Sequence, residues 1–113
     1  MRTAGVGAAL LLALGGACGA RHHTAGGGRV RVEVGREGFQ PAALEVQSGQ
    51  PLTIEFLRVT DETCATKVVF PAEGIVRDLP LGVPVLVAPA TDRARRLEFQ
   101  CGMGMWRGSL VVR

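Results

Sequence analysis

The stretch RVRVEV, Arg29–Val34, alternates charged and aliphatic side chains and decides how the chain folds. Successive side chains of a β-strand point to opposite faces, so this alternation places Val30, Val32 and Val34 together on one face. Valine also favours extended backbone, because its branched side chain packs well on a pleated surface. The stretch therefore predicts a strand that turns its valine face towards a hydrophobic core.

Short apolar runs of the same kind fill the rest of the chain and are separated by turn residues such as Gly, Pro and Asp. They lie at residues 43–51, 51–58, 67–70, 75–80, 83–88, 95–100 and 108–113. No window shows the 3.6-residue apolar period of an amphipathic helix. We therefore predict an all-β fold over residues 29–113, an antiparallel β-sandwich of about seven or eight short strands.

Residues 1–20 have the composition of a bacterial export signal. Arg2 is their only charge, an apolar run spans residues 6–14, and small residues dominate 15–20. Cys18 stands where a lipoprotein signal places the cysteine that becomes lipidated. The alternatives are ordinary cleavage, or retention of the segment as a signal anchor near the lower length limit for crossing a bilayer.

Residues 21–28, RHHTAGGG, are rich in glycine and predict a flexible linker. Whichever way the preceding signal is processed, the domain that follows is expected outside the cytoplasm. It would be attached to the bacterial cell membrane or lie free in the periplasm.

The composition of the folded region excludes several function classes. Arg2 and Arg21 precede this region, so its positive and negative side chains nearly balance, and it lacks the long basic run of a nucleic-acid-binding protein. It also lacks histidine, a phosphate-binding loop and a CxxC motif. No two carboxylates have a spacing that suggests a catalytic pair. An enzyme is therefore not predicted.

The segment CGMGMW, Cys101–Trp106, places three sulfur side chains between glycines just before the last apolar run. Cys101 shares strand parity with Phe99, so a strand that buries Phe99 also turns Cys101 towards the core side. The intervening glycines allow a tight loop in which Met103 and Met105 turn back towards Cys101.

A further cysteine, Cys64, lies in a polar, turn-like segment between two predicted strands. Because a sandwich gathers its turns at two ends, this segment and the CGMGMW loop can meet at one rim. Two thiolates and two thioethers would form a soft ligand set, which selects Cu(I) over harder divalent ions. Zinc does not usually take thioether ligands, and iron–sulfur clusters normally need four cysteines.

The order of short strands, the segment GFQPAALEVQSGQP (38–51) and a cysteine-containing loop before the final strand together resemble a cupredoxin. The resemblance covers the whole folded region and implies a Greek-key β-sandwich. Electron-transfer cupredoxins hold copper with two His, one Cys and a weak axial Met. The two histidines of this chain, His22 and His23, both precede the folded region. The usual blue-copper site therefore cannot be built from that region.

A cysteine at position 64 and the late loop CGMGM are instead similar to the membrane-anchored CupA-type Cu(I)-binding cupredoxins. This resemblance implies a copper chaperone or buffer that holds one or two Cu(I) ions and passes them to a copper-exporting ATPase or another copper-accepting protein. It implies Cys64 and Cys101 as paired or bridging thiolates, and Met103 and Met105 as thioether ligands.

The alternative interpretation is a metal-free structural or interaction domain in which a disulfide joins Cys64 and Cys101. Closing a loop of this length would stabilise the fold by about 4 kcal/mol in the chain-entropy model. That interpretation leaves Met103 and Met105 unexplained, unless they are ordinary core filler. Arg58 and Arg107 flank the two cysteine segments, and nearby cations of this kind can lower a thiol pKa.

Overall fold

The computed structural model describes His23–Thr24 and residues 28–113. The export signal expected at residues 1–20 and the lipidation site expected at Cys18 lie outside the described residues. Within the described ranges, no helix is long and apolar enough to cross a bilayer.

The regular structure of the described chain consists of short strands and one turn of 3-10 helix at Pro71–Glu73. The strands are β1 (His23–Thr24), β2 (Gly28–Gly35), β3 (Gly38–Gln40), β4 (Ala43–Val46), β5 (Leu52–Arg58), β6 (Lys67–Phe70), β7 (Ile75–Asp78), β8 (Val85–Val87), β9 (Arg95–Cys101) and β10 (Arg107–Val112). Every run predicted to be extended overlaps one of these strands. The sequence pattern did not predict β1 and β3, which are too short to show alternation.

The strands form a six-stranded sheet of order β1-β4-β10-β9-β6-β7 and a four-stranded sheet of order β3-β2-β5-β8. The predicted all-β sandwich is thereby confirmed. The prediction that it is antiparallel is wrong in part, because β2 pairs with β5, and β4 with both β1 and β10, in parallel. The chain passes through β4 in the opposite sheet between β2 and β5, and this crossover allows the two strands to run in the same direction.

The core lies between the two sheets. Val32 and Val34 of β2 have no exposed surface and Val30 is 6% exposed, as the alternation of RVRVEV predicts. Phe99 of β9 lies at the centre of an aromatic cluster. Its ring centroid is 5.1 to 5.5 Å from those of the other three phenylalanines, Phe39, Phe56 and Phe70.

Strand β9 carries the core pattern to the rim of the sandwich. Leu97, Phe99 and Cys101 all point inwards, and the Cys101 side chain belongs to the same buried cluster. The strand pairs with β10 in an antiparallel hairpin whose connection is residues 102–106. The inward orientation of Cys101 predicted from its parity with Phe99 is confirmed.

Candidate metal centre

The loop of residues 102–106 turns sharply at the end of β9. The N–H of Gly104 donates to the carbonyl of Cys101 at 2.9 Å, and Gly104 adopts a φ of 73°, which favours glycine. Gly102 lies under the aliphatic stem of Lys67, where an added Cβ would come within 2.9 Å of the lysine Cγ. Both glycines therefore keep the loop tight, as predicted.

Cys101 is buried at the base of this loop, and its sulfur faces backbone N–H groups. The N–H of Trp106 donates to Cys101 Sγ at 3.4 Å, and the N–H of Cys101 donates to the Trp106 carbonyl at 3.0 Å. Burial alone raises the pKa of the Cys101 thiol. The surrounding backbone N–H groups, those of Trp106, Met103, Met105 and Gly104, outweigh burial and lower that pKa below the ordinary cysteine value.

Cys64 lies on the segment between β5 and β6, which folds through side-chain hydrogen bonds. Thr60 Oγ1 accepts the N–H of Glu62 at 3.0 Å, and Thr63 Oγ1 accepts the N–H of Ala65 at 3.1 Å. Such hydroxyl-to-backbone bonds form compact turns. The segment holds Cys64 at the surface with an exposed, free thiol.

The two sulfur-bearing segments meet at the rim. Cys64 Sγ lies 3.6 Å from Met105 Sδ, although the two residues are 41 positions apart in the chain. Two sulfurs that share one metal ion at about 2.3 Å each, the usual thiolate distance at zinc, can be at most about 4.6 Å apart. The observed separation therefore fits a single soft metal ion between these two side chains.

The predicted site residues differ in how the structure places them. Cys64 and Met105 are in direct contact, and Cys101 lies at the base of the loop that carries Met105. The side chain of Met103 is on the same loop but is 77% exposed, and that of Met105 is 64% exposed. The role of Met103 as a ligand stays a prediction.

The arginines do not act on the Cys101 thiol as hypothesised. Arg58 donates to the carbonyls of Thr60 and Leu79 at 3.2 and 3.0 Å, so it ties the Cys64 segment to the next loop. Arg107 donates to the carbonyl of Gly104 at 3.4 Å. The lowered pKa of Cys101 has its origin in backbone amides. Sequence reasoning missed these amides, because their direction depends on the loop conformation and not on residue type.

The disulfide of the alternative interpretation is not formed in the structure. Cys64 and Cys101 are both free, the former exposed and the latter buried. Residues 28–113 also contain no cluster of three or more His, Cys, Asp or Glu side chains that could hold a metal ion. A metal centre at this rim would thus depend on methionine, which restricts it to soft ions.

The backbone amides around Cys101 Sγ predict how the ionisation of its thiol depends on pH. Because its folded pKa is lowered, its thiolate should persist to a pH below the value of about 8.5 typical of free cysteine. The stabilisation of the fold by this thiolate is complete above the unfolded pKa and is lost as pH falls through the folded pKa. Thiolate absorbance in the ultraviolet against pH, measured on a chain in which Cys18 and Cys64 are replaced by serine, reports the midpoint. A midpoint at or above that of free cysteine would contradict the role assigned to the amides.

The sequence of the chain matches the model of a known protein family. The model of the "Cupredoxin-like domain" family matches residues 7–112. Comparison with curated protein sequences gave no match.

Several solved structures are similar to the chain. The metal-binding domain of the Cu(I)-exporting P-type ATPase CopA of Streptococcus pneumoniae D39, solved with Cu(I), is 28% identical with a TM-score of 0.74. The match covers 81% of this chain and 95% of that one. A copper-binding protein solved by NMR in its apo form is 32% identical with a TM-score of 0.67, and the match covers 75% and 86% of the two chains.

An enzyme also shares the fold at greater distance. The Cu-containing nitrite reductase NirK from Thermus scotoductus SA-01 is 21% identical with a TM-score of 0.55, and the match covers 74% of this chain but 22% of that one. This likeness concerns the fold alone. The two more similar structures are the metal-binding domain of a Cu(I)-exporting ATPase and a copper-binding protein. On the family match and the sandwich of two mixed sheets, the chain belongs to the cupredoxin-like domain family.

Proposed function

We propose that this protein binds Cu(I) through a sulfur-only site made of Cys64, Cys101, Met105 and Met103, and acts as an extracytoplasmic copper chaperone or buffer for copper export and resistance. The contact of 3.6 Å between Cys64 Sγ and Met105 Sδ is the observation that carries the proposal. It brings a thiol and a thioether from distant parts of the chain together, and the loop that carries the thioether begins at a second thiol whose ionised form is stabilised.

The donor set favours Cu(I) over other biological metals. Thiolate and thioether sulfurs are soft ligands, and copper in its reduced state prefers them. Zinc sites use Cys, His and carboxylates, and the described rim offers too few of these. Residues 29–113 contain no histidine, which also removes the ligands of a blue-copper electron-transfer site.

The similarity to copper-binding domains supports the same metal. The CopA domain that this chain resembles was solved with Cu(I), and the match extends over 95% of it. The second similar structure is also a copper-binding protein. These likenesses make a copper-exporting ATPase, or another copper-accepting protein, the proposed partner.

The exposure of the ligands suits transfer of copper as cargo. Cys64 and both methionines are accessible from solvent, whereas Cys101 is fully buried. An incoming thiol of a partner can therefore displace the exposed ligands first, while Cys101 still holds the ion. Stepwise exchange of this kind needs a metal that tolerates low coordination numbers, and Cu(I) does.

Binding of Cu(I) can be measured by anaerobic titration of the reduced protein against a chromophoric Cu(I) chelator of known affinity. We expect tight uptake of one or two equivalents. Cys64→Ser and Cys101→Ser should each weaken binding by more than about 100-fold, since losing even an outer-shell partner of a metal ligand costs 10- to 100-fold. Met105→Leu, which keeps the volume of the side chain, should weaken it more than Met103→Leu because Met105 already lies against Cys64.

Thr66→Ser is the matched control. Thr66 lies on the same segment as Cys64, and its N–H donates to the Cys64 carbonyl. Its Cu(I) affinity should equal that of the wild type. Equal copper affinity in wild type and Cys64→Ser would contradict the proposed function. A loss of several kcal/mol of stability in Cys64→Ser, without effect on copper, would favour the disulfide-stapled domain instead.

We further propose that the chain is exported and tethered to the membrane through lipidated Cys18, with residues 21–28, which include the two-residue strand β1, as the linker. The export-signal composition of residues 1–20 supports this location. Expressed in a bacterial host, the wild type should fractionate with membranes, and Cys18→Ser should not acquire a lipid. Membrane retention of Cys18→Ser at the wild-type level would favour an uncleaved signal anchor. A wild type found only in the cytoplasm would contradict the proposed location.

A further inference from the structure

Trp106, the only tryptophan of the chain, packs across the gap between the two sheets. It is the last residue of the 102–106 loop, which joins two strands of the six-stranded sheet. Its ring lies directly on Gly38 of β3 in the four-stranded sheet. A Cβ added to Gly38 would come within 2.8 Å of Trp106 Cε3 and 2.9 Å of Cδ2. The indole ring therefore rests on bare backbone, at a separation that no other amino acid allows.

The backbone of the same tryptophan holds Cys101. Its N–H donates to Cys101 Sγ at 3.4 Å, and its carbonyl accepts the N–H of Cys101 at 3.0 Å. The next residue towards the N-terminus is Met105, whose sulfur contacts Cys64. A shift of Trp106 would therefore move both the amide that faces one cysteine and the thioether that faces the other.

We infer that the contact between Trp106 and Gly38 is a clamp that positions the 102–106 loop for copper, and that Gly38 is a positioning residue although it offers no ligand. The copper part of this inference rests on the proposed function. The clamp itself is a property of the protein without metal. It fixes the position of the 102–106 loop relative to the four-stranded sheet. The position of the loop is therefore not set by the β9–β10 hairpin alone.

Gly49 provides a matched control for Gly38. Both glycines have positive φ, 87° and 93°, so alanine strains the backbone alike at either position. A Cβ at Gly49 would meet nothing within 4 Å, whereas a Cβ at Gly38 meets the indole ring. Gly49 lies in the turn before β5, at the opposite end of that strand from the Cys64 segment. The difference between the two alanine variants isolates the contact with Trp106.

The test uses the full chain in its reduced, metal-free form. In Gly38→Ala the amide of Trp106 should exchange its hydrogen at least about tenfold faster than in Gly49→Ala, as expected when a local contact opens. Because the chain has one Trp and no Tyr, its fluorescence reports this residue alone. Emission should shift to longer wavelength and acrylamide should quench it more strongly in Gly38→Ala only.

The same variants are then titrated with Cu(I) against the chelator. We expect Gly38→Ala to bind more weakly than Gly49→Ala by about tenfold, the lower end of the cost of disturbing the support of a metal ligand. Trp106→Leu, which removes the ring and leaves Gly38 intact, should weaken copper binding to a similar extent. This variant also tests the clamp if Gly38→Ala fails to fold.

Equal amide exchange and equal fluorescence in the two alanine variants would overturn the clamp. Unchanged Cu(I) affinity in both Gly38→Ala and Trp106→Leu, with tight binding by the wild type, would overturn the positioning role. A wild type that takes up no Cu(I) would instead contradict the proposed function, and the metal-free measurements would still decide whether the clamp exists.

Discussion

The inward face of β9 is the constraint on which the rest of the structure depends. Leu97, Phe99 and Cys101 follow one another at alternate positions, so the packing that buries Phe99 also determines where Cys101 emerges. The Phe99 ring contacts three other phenylalanines contributed by both sheets. Phe→Ala changes in such cores cost about 3 to 5 kcal/mol, and moving β9 would disturb all of these contacts. The position of the Cys101 sulfur is therefore set by the hydrophobic core.

The candidate site combines this rigid thiol with more accessible ligands. Cys101 is buried, and backbone amides stabilise its thiolate. Cys64 and Met105 lie in contact at the surface, on segments held by threonine hydroxyls and by the Trp106 backbone. One candidate ligand is thus fixed and the others are accessible from solvent. Backbone amides stabilise the negative sulfur and add no net positive charge, so this arrangement does not itself repel an incoming cation.

Much of the fold could be predicted from the sequence, because alternation of apolar residues has a direct physical cause. The valine face of RVRVEV, the inward position of Cys101 and the tight glycine loop all follow from strand geometry and backbone freedom. Strand direction could not be predicted, since alternation looks the same in parallel and antiparallel sheets. The contact of Trp106 with Gly38 had no signal either, because nothing in the local sequence relates two residues so far apart. The approach of Cys64 to Met105 was expected only as a meeting of loops at one rim, and its distance required the structure.

X-ray absorption at the copper edge of the Cu(I)-loaded protein tests the central claim most directly, because it identifies the atoms bound to the metal. The account predicts a Cu(I) edge and a first shell made of sulfur alone, at about 2.3 Å as in other metal–thiolate bonds. In Met105→Leu the number of sulfur neighbours should fall while the remaining shell stays sulfur. A first shell that contains nitrogen or oxygen in the wild type, or one unchanged by loss of Cys64, would contradict a sulfur-only site at this rim.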